Sequence, residues 1–296
     1  MDGNRAHLAL PAISVVIPCR NAAATLPDQL EALAKQEYDG AWEVVVADNG
    51  STDDSRAVAA GFRDRLPRFT LVDAAACRGQ AYARNVGARV ATGRALCFVD
   101  ADDVVAPGYL GAMAAALAEH DFVSASFDSA SLNPGWVGQT RRAYQEHEIP
   151  DSLGFLPFVG GGGLGIRREL FTSIGGFDDT WWGAGEDIDF CWRAQRHGAQ
   201  LHFVPEASVA IRWRASLRDL YRQGRNYGRG EPYLFMKYRG DGMASPGLKA
   251  GLDEWWALLQ RLPRLRTRAQ FANWLRRAAR KFGRLEACVR FRVVYL

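Results

Sequence analysis

Apolar residues along the first half of the chain fall in short continuous runs rather than in alternation, and each run ends in a polar loop followed by a stretch with helical spacing. "ISVVIPC" (13–19) stops at Arg20 and Asn21 and gives way to a helical pattern from Thr25 to about Gln36. "WEVVVADNGSTDDS" (42–55) repeats the arrangement, with "RAVAAGF" as its helix. "FTLVDA" (69–74) precedes a helix over "GQAYARNVGARVAT" (79–92), and "ALCFVDADD" (95–103) precedes a helix that begins near Pro107. Strands apolar throughout and separated by helices predict an α/β fold, a Rossmann-like, mostly parallel sheet with helices on both faces. Ligands of such sheets bind beyond the carboxyl ends of the strands, where Asp48, Asp100 and Asp102 fall.

The stretch "ALCFVDADDVV" places Asp100, Asp102 and Asp103 within four positions at the end of a buried run. One aspartate there can cap the next helix. Three at close range repel, and a divalent cation relieves that repulsion. Oxygen ligands suit Mg²⁺ or Mn²⁺, held by one or two carboxylates together with water and phosphate.

Composition narrows the setting. The 296 residues are 48% hydrophobic, enough for one large domain with an appendage. No run reaches the roughly 18–20 apolar residues of a membrane span, and "MDGNRAHLALPA" lacks the layout of a secretory signal, so a cytoplasmic protein is expected. Cys19, Cys77, Cys97, Cys191 and Cys288 are scattered and read as buried thiols in a reducing compartment. The net charge is +4, with arginine concentrated towards the C-terminus. No nucleic-acid-binding module accompanies that basic tail, which argues against nucleic acid as a primary partner.

Five segments, "SVVIPCRNAAATL", "VVVADNGSTDDS", "RGQAYARNVGARVATG", "CFVDADD" and "GGFDDTWWGAGEDIDFCWRAQRHG", occur in the order and approximate spacing of the family 2 glycosyltransferases, and over roughly residues 12–230 the chain resembles that family with its GT-A fold. The resemblance implies a nucleoside-diphosphate-sugar donor and an inverting transfer to an acceptor hydroxyl or amine. It implies that Asp48 meets the nucleobase, that Pro18 to Arg20 form the other wall of the base and ribose pocket, and that Arg84 and Asn85 support it. Asp100 and Asp102 match the family's DxD motif, the first approaching the ribose and the second reaching the diphosphate through Mn²⁺ or Mg²⁺. Asp187, at the start of the helix in "GEDIDFCWRAQRHG" (185–198), matches the general base, with Glu186 second in line. A helix N-terminus also attracts acids with no chemical duty. "GGGLGIRREL" (161–170) resembles the segment beside the transferred sugar, although Gly163 stands where Asn is expected. Trp181 and Trp182, next to the base, offer flat surfaces to an acceptor or simply pack over the sheet edge.

One departure stands out. Many relatives carry a metal-completing histidine after the base helix, and the slot here falls near Ala210 or Ile211, with His202 too early in the strand to replace it. A non-catalytic sugar-nucleotide-binding module is therefore the alternative reading. "SLRDLYRQGRNYGRG" (216–230) offers Arg218, Arg222, Arg225 and Arg229 to diphosphate or to solvent. Residues 1–230 are read as the catalytic domain and 231–296 as a basic amphipathic helical extension. Such helices pack onto their own domain or a second copy, or lie on the anionic inner face of a membrane.

Overall fold

The computed structural model describes residues 12–141, 143, 145–149, 153–181 and 183–296. Strands β1 (Ile13–Cys19), β2 (Trp42–Asp48), β3 (Phe69–Asp73) and β4 (Ala95–Phe98) pair in parallel in the order β3-β2-β1-β4. They alternate with helices α1 (Leu26–Ala34), α2 (Ser55–Ala60) and α3 (Gln80–Val90). Beyond β4 come β5 (Val104–Val105), α4 (Tyr109–Glu119), β6 (Phe122–Asp128), β7 (Leu164–Arg167) and α5 (Arg168–Ser173). Then follow α6 (Glu186–Arg196), β8 (Leu201–Ala210), α7 (Leu217–Tyr238), α8 (Gly247–Arg261) and α9 (Arg268–Phe291).

The second half of the sheet is mixed: β7 enters between β4 and β6 antiparallel to both, β8 runs parallel to β6, and β5 closes the edge antiparallel to β8. Parallel neighbours need a crossover, usually a helix, whereas an irregular connection can bring the chain back in reverse. Between β6 and β7 the described residues hold only a 3₁₀ turn, Gly161–Gly163.

Alternate residues of one strand serve two cores. Val15 and Ile17 of β1, with Val44 and Val46 of β2, pack against Leu26, Leu30 and Leu33 of α1 and against Leu110 and Met113 of α4. Val16 and Val45 point the other way, into a cluster with Ala88, Phe171, Phe190 and Trp192 from α3, α5 and α6. This two-sided burial is why the strands read as continuous apolar runs. Pro18 lies beyond Val16, the last β1 residue in register with β4, so the two strands part where a cleft opens.

Helix α7 runs unbroken through positions 230 and 231. It meets α9 backbone to backbone: a Cβ on Gly224 or Gly228 would strike the carbonyls of Arg276 or Arg280, and one on Gly283 the carbonyl of Arg225. No helix among the described residues is long and apolar enough to cross a membrane. Cys19, Cys97 and Cys191 are buried as expected. Cys77 is exposed because it lies in the β3–α3 loop, and Cys288 on α9 is only half-buried.

Candidate active site

Two clefts meet at the carboxyl ends of β1 and β4. The larger, about 980 Å³, is bordered by Pro18, Arg20, Asn21, Asn49, Cys77 and Arg78. The smaller, about 690 Å³, is bordered by Arg84, Trp181, Glu186, Asp187, Arg222 and Tyr227. Gln80, Asp100, Asp102, Arg212 and Arg214 line both and so stand at their junction.

Asp100, Asp102 and Asp103 each offer an oxygen within 4.8 Å of the others. Burial, joined by the charges of Asp102 and Asp100, pushes Asp103 well above the usual carboxylate range. Burial also raises Asp102, against the lowering pull of Arg214. Each carboxylate is answered by nearby donors. Arg84 Nη2 and Gln80 Nε2 donate to Asp100 Oδ1 at 3.0 and 2.7 Å, Arg214 Nη1 lies 2.8 Å from Asp102 Oδ2, and the Arg212 N–H donates to Asp103 Oδ1 at 2.8 Å. Arg212 also reaches the Asp102 carbonyl at 3.0 Å and Asp28 at 2.8 Å, which ties α1, the end of β4 and the end of β8 together. These contacts engage one oxygen of each carboxylate, and the three together form a hard oxygen set of the kind that suits Mg²⁺ or Mn²⁺.

Across the smaller cleft, Gly185 opens α6 in the left-handed region (φ 99°), a conformation that favours glycine, and sets Glu186 and Asp187 in the first turn. Asp187 Oδ2 accepts from the Gly161 N–H at 3.2 Å and Oδ1 from the Ile188 N–H at 2.9 Å. Burial raises both acids in spite of the helix dipole. Asp187 goes up against the pull of Arg84, and Glu186, which also feels Asp187, is pushed up to about 7. Arg84, 1% exposed, joins the two acidic groups, bonding Asp100 at 3.0 Å and Glu186 at 3.2 Å, and lies 5.2 Å over the Phe177 ring. The glycine run makes room for this. A Cβ on Gly161 would fall 2.5 Å from the Arg84 guanidinium, one on Gly162 2.9 Å from Asp100, and one on Gly163 2.8 Å from Phe127. An Asn at 163 would displace that ring.

Other anticipated residues lie elsewhere. Asp48 is buried, bonded by Arg56 at 3.0 Å and by the Ser51 N–H, and borders neither cleft, while its neighbour Asn49 does. Asn85 also borders neither. It clasps both backbone groups of Phe177 (2.9 Å each) and Asp179 (3.1 Å), holding the segment that leads to α6. Trp181 is 9% exposed, donates to the Ala184 carbonyl at 3.1 Å and stacks on Tyr233 at 4.4 Å, leaving only an edge on the cleft. Trp182 lies outside the described residues. Arg225 and Arg229 turn away to Glu286 of α9, and Arg222 reaches the cleft. Ala210 is paired in the sheet, Ile211 lines the smaller cleft, and His202 stacks on His120 at 3.6 Å and borders neither cleft. Gln80, Arg212 and Arg214 were not singled out from the sequence. For the two arginines the signal was present in "IRWR", two cations two residues apart just past a strand end.

The family model for glycosyl transferase family 2 matches residues 14–175, and that for glycosyl transferase family group 2 matches residues 96–275. The chain belongs to glycosyltransferase family 2. It is 31% identical over 235 residues to validoxylamine A glucosyltransferase of Streptomyces hygroscopicus subsp. jinggangensis (strain 5008), a match that covers 68% of this chain and 55% of that protein. It is 33% identical over 175 residues to the PGL/p-HBAD biosynthesis glycosyltransferase of Mycobacterium bovis (strain BCG / Pasteur 1173P2), covering 58% and 65%. The chain thus spans between about half and two thirds of the length of these curated relatives. Among solved structures, its GT-A fold is shared with a mannosyltransferase of Pyrobaculum calidifontis in complex with GDP-Man and Mn²⁺ (TM-score 0.60, 19% identity, 93% of this chain and 87% of that one). It is shared too with residues 1–349 of S. aureus TarS in complex with UDP (TM-score 0.53, 18% identity, 96% and 93%).

Proposed function

We propose that the protein is an inverting glycosyltransferase that moves a sugar from a nucleoside-diphosphate donor to an acceptor hydroxyl or amine, with Asp187 as general base. The observation that carries this reading is the span of Arg84, whose one buried guanidinium bonds Asp100 at the strand end and Glu186 beside the proposed base. Donor-side and acceptor-side carboxylates thereby face one cleft. On this reading residues 1–230 carry the chemistry and 231–296 form a helical extension.

Pro18 and Arg20 flank the base and ribose in the larger cleft. Asp48 sits behind that wall and reaches a nucleobase by releasing Arg56, whose side chain is 48% exposed and loses little in the exchange. Asn85 serves the site through the segment it clasps. Asp102, with Asp100 and Asp103, would hold Mn²⁺ or Mg²⁺, which as a Lewis acid would neutralise charge on the departing diphosphate. Asp187 takes the acceptor proton as the acceptor atom attacks the anomeric carbon. Two backbone N–H groups stabilise its ionised form, and burial beside Asp187 pushes Glu186 up to about 7, so that Glu186 carries a proton part of the time at neutral pH. Trp181 and, from its place in the sequence, Trp182 border the acceptor.

The experiment is a thermal-shift panel of UDP, GDP, dTDP, CDP and ADP with Mn²⁺, Mg²⁺ or EDTA, because a ligand that binds only the native state raises its melting temperature. It is followed by transfer from the matching sugar nucleotide, with NMR of the product's anomeric configuration. One preferred diphosphate and an inverted product are expected. Retention of configuration would remove the single-displacement role of Asp187, and no stabilisation by any diphosphate would remove the donor site.

A further inference from the structure

Helices α8 and α9 enclose a third cavity, about 430 Å³, which shares no lining residue with the two clefts. Arg261 of α8 and Arg276, Arg277, Arg280, Lys281 and Arg284 of α9 line it. Two acids answer part of this charge: Glu231 pairs with Arg280 and Arg284, and Glu254 with Lys281 and Arg284. Arg261, Arg276 and Arg277 have no carboxylate partner among the described residues. The shortfall reaches the interior, where the buried Nε atoms of Arg276 and Arg284 have no hydrogen-bond acceptor among the described residues, while Arg276 Nη2 donates to the neutral Asn273 Oδ1 at 3.2 Å. Burial and the neighbouring charges of Arg141, Arg280 and Arg277 push the Arg276 guanidinium down to about 9. A guanidinium does not readily give up its proton, so an anion is the natural relief for such a potential.

We propose that this cavity binds a phosphate group, held by the forked donors of Arg261, Arg276 and Arg277, at a site separate from the active-site clefts. Guanidinium geometry matches phosphate oxygens in pairs, which favours phosphate over a monovalent halide. The phosphate has two available sources, a soluble phosphate compound or the headgroup of an anionic phospholipid. The second draws on the outer face of α8, where Leu248, Leu252, Trp256 and Leu259 are 54–69% exposed and recur at helical spacing beside the cavity.

The test uses the full chain in EDTA, with pyrophosphate as soluble probe and with phosphatidylcholine vesicles containing or lacking phosphatidylglycerol. Arg261 and Arg277 are exposed, so the double variant Arg261→Gln/Arg277→Gln is expected to keep the fold, which its melting curve without ligand checks. Arg20→Gln, an arginine removed from the larger cleft, serves as the control for loss of a cation away from this cavity. We expect pyrophosphate to raise the melting temperature of the wild type and of Arg20→Gln, and its apparent affinity to fall about tenfold in the double variant. Sedimentation with phosphatidylglycerol vesicles but not neutral ones, lost in the double variant and weakened by Leu252→Ser/Trp256→Ser, would support the site with a lipid headgroup as its source. If neither probe binds the wild type, or both bind the double variant equally well, the proposal is overturned.

Discussion

The acidic cluster at the end of β4 and the basic cavity between α8 and α9 are each more than one like charge held at close quarters, yet they are balanced differently. Around Asp100, Asp102 and Asp103 every carboxylate has a cation or backbone N–H within 3.0 Å, and the partners arrive from α3 and the segment after β8. Around Arg276 and Arg277 the acids run out. A site whose charges are met by the protein can hold its shape while empty, whereas one whose charges are not met stores a repulsion that a ligand removes. Local balance of charge, more than its density, separates a preorganised site from one that needs its ligand.

The largest effect that sharpens this contrast lies in the chemistry. Asp187→Asn should lower transfer by roughly 10²–10⁴-fold while leaving diphosphate binding nearly intact, as single-turnover and thermal-shift measurements would report. Arg84→Met removes the cation shared by Asp100 and Glu186 and should cost about 3–5 kcal/mol in denaturant unfolding, because it strands buried carboxylates. Glu186→Gln carries a pH signature. Burial pushes the Glu186 carboxyl from its ordinary 4.5 up to about 7, so Glu186 costs stability progressively as pH rises from 4.5 to 7 and costs nothing below that window. The variant should gain on the order of 1–3 kcal/mol above pH 7 and nothing at the acid end, seen as a pH-dependent difference in melting temperature. Asp102→Ala should weaken metal-dependent diphosphate binding about tenfold; equal affinity with and without metal in wild type and variant would strike it from the ligand set. The smallest effect tests the other side: Arg277→Gln should change stability by no more than about 0.5 kcal/mol, because no carboxylate is lost with it.

Much of the first half of the chain could be read directly. Continuous apolar runs gave β1 to β4, the strand-end position put Asp100 and Asp102 on the clefts, and the family resemblance put Pro18 and Arg20 there. Local pattern failed where distant segments decide. Nothing in "VVVADNGS" tells that Arg56 pairs with Asp48, or that Asn49 borders the cleft. Asn85 carries a turn-like residue type, and only folding brings Phe177 and Asp179 to it. The slot near Ala210 holds no histidine, while Arg212 and Arg214, the cations that do meet Asp103 and Asp102, stand two and four positions past Ala210. The amphipathic character of α8 and α9 was legible, but only folding brings Arg261 of α8 to the cavity that Arg276 and Arg277 of α9 line.

The reach of Arg212 has a consequence for how the chain is made. The Arg212 N–H that Asp103 accepts comes from 109 positions later in sequence, and the Arg212 side chain that meets the Asp102 carbonyl from 110. At synthesis rates of about 5–20 residues per second, the aspartates wait roughly 5–20 s after leaving the ribosome before those partners exist. During that interval the first parallel strands can assemble while their carboxyl ends still carry unanswered negative charge. Arg212 and Arg214, in the segment after β8, are the last of these partners to be synthesised.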